Sequence, residues 1–167
     1  MNENICEEKV FEQVYNQQVE PLRNFLYYKS GNLQVAEDLT HDAFSKLWEN
    51  CAKVIFSKAK SFVFTIGNNL FLNKVKHDKV ILKFEKVQPS EQHTHDPQFI
   101  LEEQEFQKKL ESAISGLPET QREVFLMNRI DKMKYKAIAE ALNISVKALE
   151  KCIHKALTTL KEIHNKN

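Results

Sequence analysis

Three sets of polar side chains stand at spacings that put each set on one face of a helix, and none of them is built for covalent chemistry. Asp38, His41, Asp42, Ser45 and Glu49 recur at intervals of three and four, opposite an apolar stripe of Val35, Ala36, Leu39, Ala43, Leu47 and Trp48. Such a face is either solvated or a docking surface for a basic partner, and Trp48 is expected in the core. Asn68, Asn69, Asn73, Lys74, Lys76 and His77 share the outer side of an apolar segment running from about Lys60 to Asp78. Amides hydrogen-bond base edges, ammonium groups neutralise phosphate and neighbouring aromatic rings stack on bases, so this mixture suits an unwound nucleic-acid strand. The phenylalanines of that segment are nevertheless expected mostly in the core.

The third set is Lys147, Glu150, Lys151, His154, Lys155 and Thr158, outside a buried stripe of Leu149, Ile153, Ala156, Leu157 and Leu160. Cations on the exposed face of a helix are what insertion into the major groove of duplex DNA requires. The preceding run, Tyr135 to Leu149, reads as a helix-turn-helix. Ile138 and Leu142 pack the first helix, Ala139 permits a close crossing, Asn143 tolerates the left-handed turn and Ser145 can cap the second helix. No P-loop, nucleophile motif, paired-carboxylate cleft or metal-ligand cluster is present, so the sequence points to binding rather than catalysis, with no cofactor, metal or small-molecule substrate. His93 and His95 lie in a polar stretch and read as solvated linker.

The elements that position these faces are helices. With 3 Gly and 4 Pro in 167 residues there are too few chain breakers for a protein of many short strands. Phe11, Val14, Tyr15, Leu22, Phe25 and Leu26 mark a first helix that Pro21 kinks or divides and that Gly31-Asn32 ends. A polar and basic connection carrying Lys53 and Lys58 follows the second helix. Gly116 closes a later helix, and Pro118 stands near the first position of the next, where a missing N–H costs nothing. Between the halves, Lys86 to Pro97 has two prolines and no apolar period, which fits a tether. The organisation expected is all-α: a helical domain over 1–85, a linker over 86–101 and a helix-turn-helix domain over 102–167.

The formal net charge of +1 conceals an alternation: −5 over 1–50, +6 over 51–86, −5 over 87–123 and +5 over 124–167. Two basic segments parted by an acidic one are suited to two polyanion-facing surfaces. The three cysteines, Cys6, Cys51 and Cys152, are far apart and odd in number, so neither a disulfide framework nor a zinc site is expected. The first residues carry neither a basic nor an apolar leader region, and no apolar stretch is long enough to span a membrane, which suggests a cytoplasmic protein.

Taken together, these residues resemble the extracytoplasmic-function (ECF) group of bacterial sigma factors, small members of the sigma-70 family. The resemblance rests on Ala36-Glu37-Asp38-Leu39-Thr40-His41-Asp42-Ala43-Phe44-Ser45-Lys46-Leu47-Trp48 and Ser61-Phe62-Val63-Phe64-Thr65-Ile66-Gly67-Asn68-Asn69-Leu70. It continues in Leu117-Pro118-Glu119-Thr120-Gln121-Arg122-Glu123-Val124-Phe125 and Tyr135-Lys136-Ala137-Ile138-Ala139-Glu140-Ala141-Leu142. It implies sigma regions 2 and 4, and a subunit without a catalytic site that directs core RNA polymerase to promoters. The face of Asp38, His41, Asp42, Ser45 and Glu49 would dock on the polymerase clamp helices. Lys53, Lys58, Lys60, Asn69, Asn73 and Lys74 would face the −10 element, and Lys147, Lys151, His154 and Lys155 the −35 element. The resemblance further implies an anti-sigma factor as partner, of a kind often membrane-anchored. Cys152 and Asn68 depart from the family pattern, which often has arginine at the first and arginine or a small residue at the second; Cys152 is expected to be a structural thiol.

Two other readings stay open on sequence. A conventional helix-turn-helix regulator would read DNA as a dimer without polymerase, and an interaction module would leave both basic faces merely solvated.

Overall fold

The computed structural model describes residues 3–74 and 97–165, and the side chains of 3–73, 104–162 and 165 among them. Seven α-helices and one short 3-10 turn occur among the described residues: α1 (Glu8–Ser30), α2 (Leu33–Glu49), the turn (Phe56–Lys58), α3 (Ala59–Lys74), α4 (Pro97–Ser115), α5 (Glu119–Arg129), α6 (Tyr135–Leu142) and α7 (Val146–Asn165).

In the first half, α1 runs unbroken through Pro21, because Val14 on one side and Leu22, Phe25 and Leu26 on the other are all buried. Packing on both flanks outweighs the one helical hydrogen bond that proline forfeits. The helix stops at Gly31, whose left-handed φ of 70° lets its N–H reach the Tyr27 carbonyl at 2.7 Å. Asn32 then caps α2 by accepting from the Val35 N–H at 3.1 Å. The buried stripe of α2, Ala36, Leu39, Ala43, Phe44 and Leu47, faces α1 and α3. α3 comes so close to α1 that a Cβ on Gly67 would meet Leu22 at 3.2 Å, which accounts for glycine inside a helix. The apolar segment expected over 60–78 is α3 as far as Lys74, and 75–78 lie outside the described residues.

In the second half, α5, α6 and α7 pack around Val124, Leu126, Met127, Ile138, Leu149, Ile153 and Ala156. The turn between α6 and α7 is built as its residue types require. Asn143 adopts φ 54° and ψ 47°, Ile144 N–H returns to the Ala139 carbonyl at 3.0 Å, and Ser145 Oγ accepts from Ala148 N–H at 3.1 Å. The halves share a continuous apolar core, joined where α1 meets α5 and α3 meets α6. Residues 86–96 of the expected linker, with His93 and His95, lie outside the described residues, and α4 begins at Pro97 inside its last part.

Two further expectations are corrected. Cys6 and Cys51 form a disulfide, their Cα atoms 5.1 Å apart. The α1–α2 hairpin carries the chain back toward its own beginning, a proximity that a sequence separation of 45 does not reveal. Closing a loop of that size contributes about 4 kcal/mol in the chain-entropy description. Trp48 is 48% exposed, resting edge-on against Phe11 at 5.1 Å between ring centroids, so it flanks the core rather than filling it. Cys152 is free, half-buried and packed against the core.

The left-handed turn supplies a direct check on the motif. Asn143→Gly should leave the urea midpoint nearly unchanged, whereas Asn143→Val should lower stability by about 1–2 kcal/mol through strain at positive φ.

Candidate nucleic-acid interface

On α2, Asp38, His41, Ser45 and Glu49 are exposed and Asp42 is half-buried, so the expected acidic face exists as one surface. Gln34 donates to Asp38 at 3.0 Å and Lys46 stands 3.8 Å from Glu49, an exposed pair worth little in water. The face thus stays predominantly acidic, and the exposed ring of Trp48, seven positions after His41, extends it with an apolar edge.

The connection after α2 presents Lys53 and Lys58 to solvent, with Lys60 half-buried at the start of α3. It is compactly turned: Cys51 N–H donates to Trp48 O at 3.2 Å, Lys53 N–H to Asn50 O at 2.9 Å and Lys58 N–H to Ile55 O at 2.9 Å. Asn69 and Asn73 are exposed one turn apart on α3, and Lys74 is the last described residue of that helix, its side chain outside the described part. Asn68 separates from this group. It is half-buried beside α6, where its Oδ1 is enclosed without a hydrogen-bond donor, and it lines a cavity of about 350 Å³ with Lys29, Glu123 and Asn143. Phe64 and Phe71 are core residues as expected.

On α7, Lys147, Lys151, His154 and Lys155 are all exposed on the side opposite Leu149, Ile153 and Ala156. The α6–α7 turn delivers the N-terminal end of this helix to the surface, the placement that major-groove reading requires.

A further cluster had no counterpart in the sequence reading. Lys29, at the end of α1, is only 6% exposed and forms ion pairs with Glu119 and, at 2.6 Å, with Glu123 of α5. Its ammonium also lies 5.6 Å from the Phe25 ring centre and 5.3 Å from that of Phe71. Arg122, 4% exposed, donates from Nε to the Tyr28 carbonyl at 2.7 Å, from Nη2 to that of Lys29 at 3.4 Å, and from Nη1 to those of Ser115 and Leu117 at 3.2 Å each. It satisfies carbonyls left open at the ends of two helices and places a cation at their negative poles. Tyr28 Oη and Asn24 Nδ2 both donate to Asp131, at 2.7 and 3.0 Å. Burial, reinforced by Asp131, pushes the Tyr28 phenol well above its ordinary range, and burial lowers Arg122 and raises Asp131. The signal for this junction was two adjacent opposite charges, Arg122 and Glu123, before the apolar Val124, but adjacency alone does not announce burial.

Comparison with known proteins accords with this architecture. Residues 14–80 match the family described as sigma-70 region 2, and residues 107–160 match sigma-70, region 4. The chain belongs to the sigma-70 family, whose members direct core RNA polymerase to promoters to begin transcription, and within it to the ECF group. It is 26% identical over 156 residues to the RNA polymerase sigma factor YlaC of Bacillus subtilis (strain 168), covering 90% of each chain. It is 21% identical to the ECF RNA polymerase sigma factor SigM of the same organism, over 93% of this chain and 95% of that one. To the ferric citrate uptake sigma factor FecI of Escherichia coli (strain K12) it is 25% identical, over 88% and 86%. Among solved structures, its fold resembles the sigma factor RpoE from Bartonella quintana, solved in complex with the anti-sigma factor NepR. There the TM-score is 0.59 at 21% identity, over 93% of this chain and 96% of that one. As a sigma factor the chain is a regulatory subunit.

The junction between the halves has a pH dependence of defined sign. Burial outweighs the attraction of Lys29 and Arg122 and pushes Glu123 up to about 7 from an ordinary 4.5, with Glu119 adding to the rise. A proton therefore favours the packed form: that contribution is complete below about 4.5 and is lost as pH rises through about 7. The radius of gyration from small-angle scattering should increase between pH 6 and pH 8, and Glu123→Gln should suppress most of the change. An unchanged radius in the wild type across that interval would remove Glu123 from this role.

Proposed function

We propose that the α2 face of Asp38, His41, Asp42, Ser45 and Glu49 docks on the clamp helices of core RNA polymerase. Lys53, Lys58, Lys60, Asn69, Asn73 and Lys74 face the non-template strand of the −10 element, and Lys147, Lys151, His154 and Lys155 enter the major groove of the −35 element. The observation that carries this reading is the segregation of exposed charge, acidic on α2 and basic on the α2–α3 connection and on α7. Residues 1–85 act as the promoter-opening unit, 86–101 as the tether and 102–167 as the upstream reader. Opening without ATP hydrolysis draws on the binding of extruded bases, each of which costs a few kcal/mol to unstack. The protein works in the cytoplasm, where polymerase and promoter are. By likeness to RpoE, solved with NepR, an anti-sigma factor is a further partner.

Geometry also sets a condition on activity. The −10 and −35 elements are named by positions that differ by 25, or about 85 Å at 3.4 Å per pair. A packed chain of this length is only about 40 Å across. The junction of Lys29, Arg122, Glu119 and Glu123 must therefore part before one molecule occupies both elements, so the packed form is the resting form. Once the halves are seated on polymerase, tethering raises their effective concentration on DNA, and neither needs tight binding alone.

The defining experiment adds the purified chain to core RNA polymerase and sequences the transcripts initiated on fragmented genomic DNA. Starts downstream of a shared two-part motif are expected; tight binding to a palindromic duplex without any effect on polymerase would favour the conventional regulator. Asp38→Lys with Asp42→Lys should weaken capture by core enzyme at least about 100-fold with the helical circular dichroism retained, the order expected for reversing charge at a docking face. Lys151→Ala with Lys155→Ala should flatten the salt dependence of upstream-element binding by about two in log–log slope. Arg122→Ala, which removes donors from four carbonyls at the junction, should expand the free chain in scattering while leaving core binding intact.

A further inference from the structure

The disulfide lies at the base of the connection that carries Lys53 and Lys58. Cys6 belongs to a short turn ahead of α1, in which Ile5 is fully buried, Cys6 N–H donates to Asn4 Oδ1 at 3.1 Å and Glu7 N–H donates to Asn4 O at 3.0 Å. Cys51 is two residues past the end of α2 and two before Lys53. Both cysteines are half-buried, within reach of small solutes, whereas Cys152 sits in the other half as a free thiol. A sigma factor works beside RNA polymerase, in a compartment where glutathione and thioredoxin keep thiols reduced, and disulfides found there are transient and redox-sensing more often than structural. A bond between these two residues is thus a state that the compartment opposes and that an oxidant must create.

We propose that Cys6 and Cys51 are a reversible oxidation site, closed by a hydroperoxide and opened by a dithiol, that regulates how firmly the α2–α3 connection engages the unwound strand. This rests on the reading of that connection as facing the −10 element. One thiolate attacks an oxygen of hydrogen peroxide, the O–O bond breaks, water leaves and a sulfenic acid remains. The second thiol attacks that sulfur, the S–S bond forms and the S–O bond breaks, releasing a second water. Two electrons pass from the two sulfurs to the peroxide, and both thiol protons end in water. A dithiol reverses the step by exchange through a mixed disulfide, becoming a disulfide itself.

The direction of the effect follows from what holds the connection. Beyond the local hydrogen bonds of its turn, Val54 and Phe56 are its partly buried anchors, and Lys53, Ile55 and Lys58 face solvent. The disulfide adds a covalent anchor on the side of Ile5. A connection already ordered loses less conformational freedom when it closes on a strand, so the oxidised chain binds the strand more tightly.

The test uses the full chain with core RNA polymerase. After hydrogen peroxide and removal of excess, iodoacetamide should label one cysteine per chain, and after dithiothreitol it should label all three; three labels in both states would overturn the proposal. Open complexes at a promoter found by transcript sequencing should live about three- to tenfold longer with oxidised than with reduced chain. Cys6→Ser with Cys51→Ser should abolish the difference and Cys152→Ser should preserve it. Equal lifetimes for the two states, or a peroxide response that persists in the double variant, would overturn the proposal. Lys53→Ala with Lys58→Ala separates its failure from failure of the underlying reading. If those substitutions shorten lifetimes while redox state does not, only the switch is wrong; if they change nothing, the reading of the connection falls and takes the switch with it.

Discussion

The C-terminal end of α1 is the place where the molecule is held together. Three elements converge on it: Gly31 turns the chain into α2, α3 packs alongside, and α5 supplies Arg122, Glu119 and Glu123. Helix ends leave carbonyls without partners, and burying them without donors costs about 1–3 kcal/mol each. Arg122 resolves this by donating to carbonyls of α1 and of the chain just before α5, so the end of α1 in one half is satisfied by a side chain of the other. The relation between the halves is written in hydrogen bonds as well as in apolar contact.

Such a junction suits the parting of the halves proposed for promoter binding. A buried ion pair draws little net stability from its charges, because removing them from water costs nearly as much as their attraction returns, yet losing one partner alone costs about 3–5 kcal/mol. Lys29 with two carboxylates, one of them near its protonation midpoint at neutral pH, is therefore specific without being strong. A junction sealed by leucines alone would be harder to part. Water can re-enter this one and solvate every group that it held.

On the proposed assignment of the faces, the distribution of charge lets a chain of net charge +1 serve a polyanion and a large protein partner at once. Net charge sets solubility, whereas binding depends on local fields that fall off over about 8 Å at physiological salt. The acidic set lies on α2 and the basic set on α7, two different elements. Trp48 adds to the acidic face an aromatic group of the kind that dominates binding energy at protein interfaces.

The sequence by itself determined the helices, the turns and the faces. Helical periodicity is a short-range property, so the stripe of Leu39, Ala43 and Leu47, the asparagine at the left-handed turn and the exposed set from Lys147 to Lys155 could be read one after another along the chain. Only the tertiary structure decided which stripes meet. It paired Cys6 with Cys51, buried Arg122 and Glu123 although charged residues are rarely buried, turned Asn68 away from Asn69 and left Trp48 half in solvent. Each of these depends on contacts between residues far apart in sequence. A local pattern reports which side of a helix is apolar, but not how wide the covering neighbour is or what charge it brings.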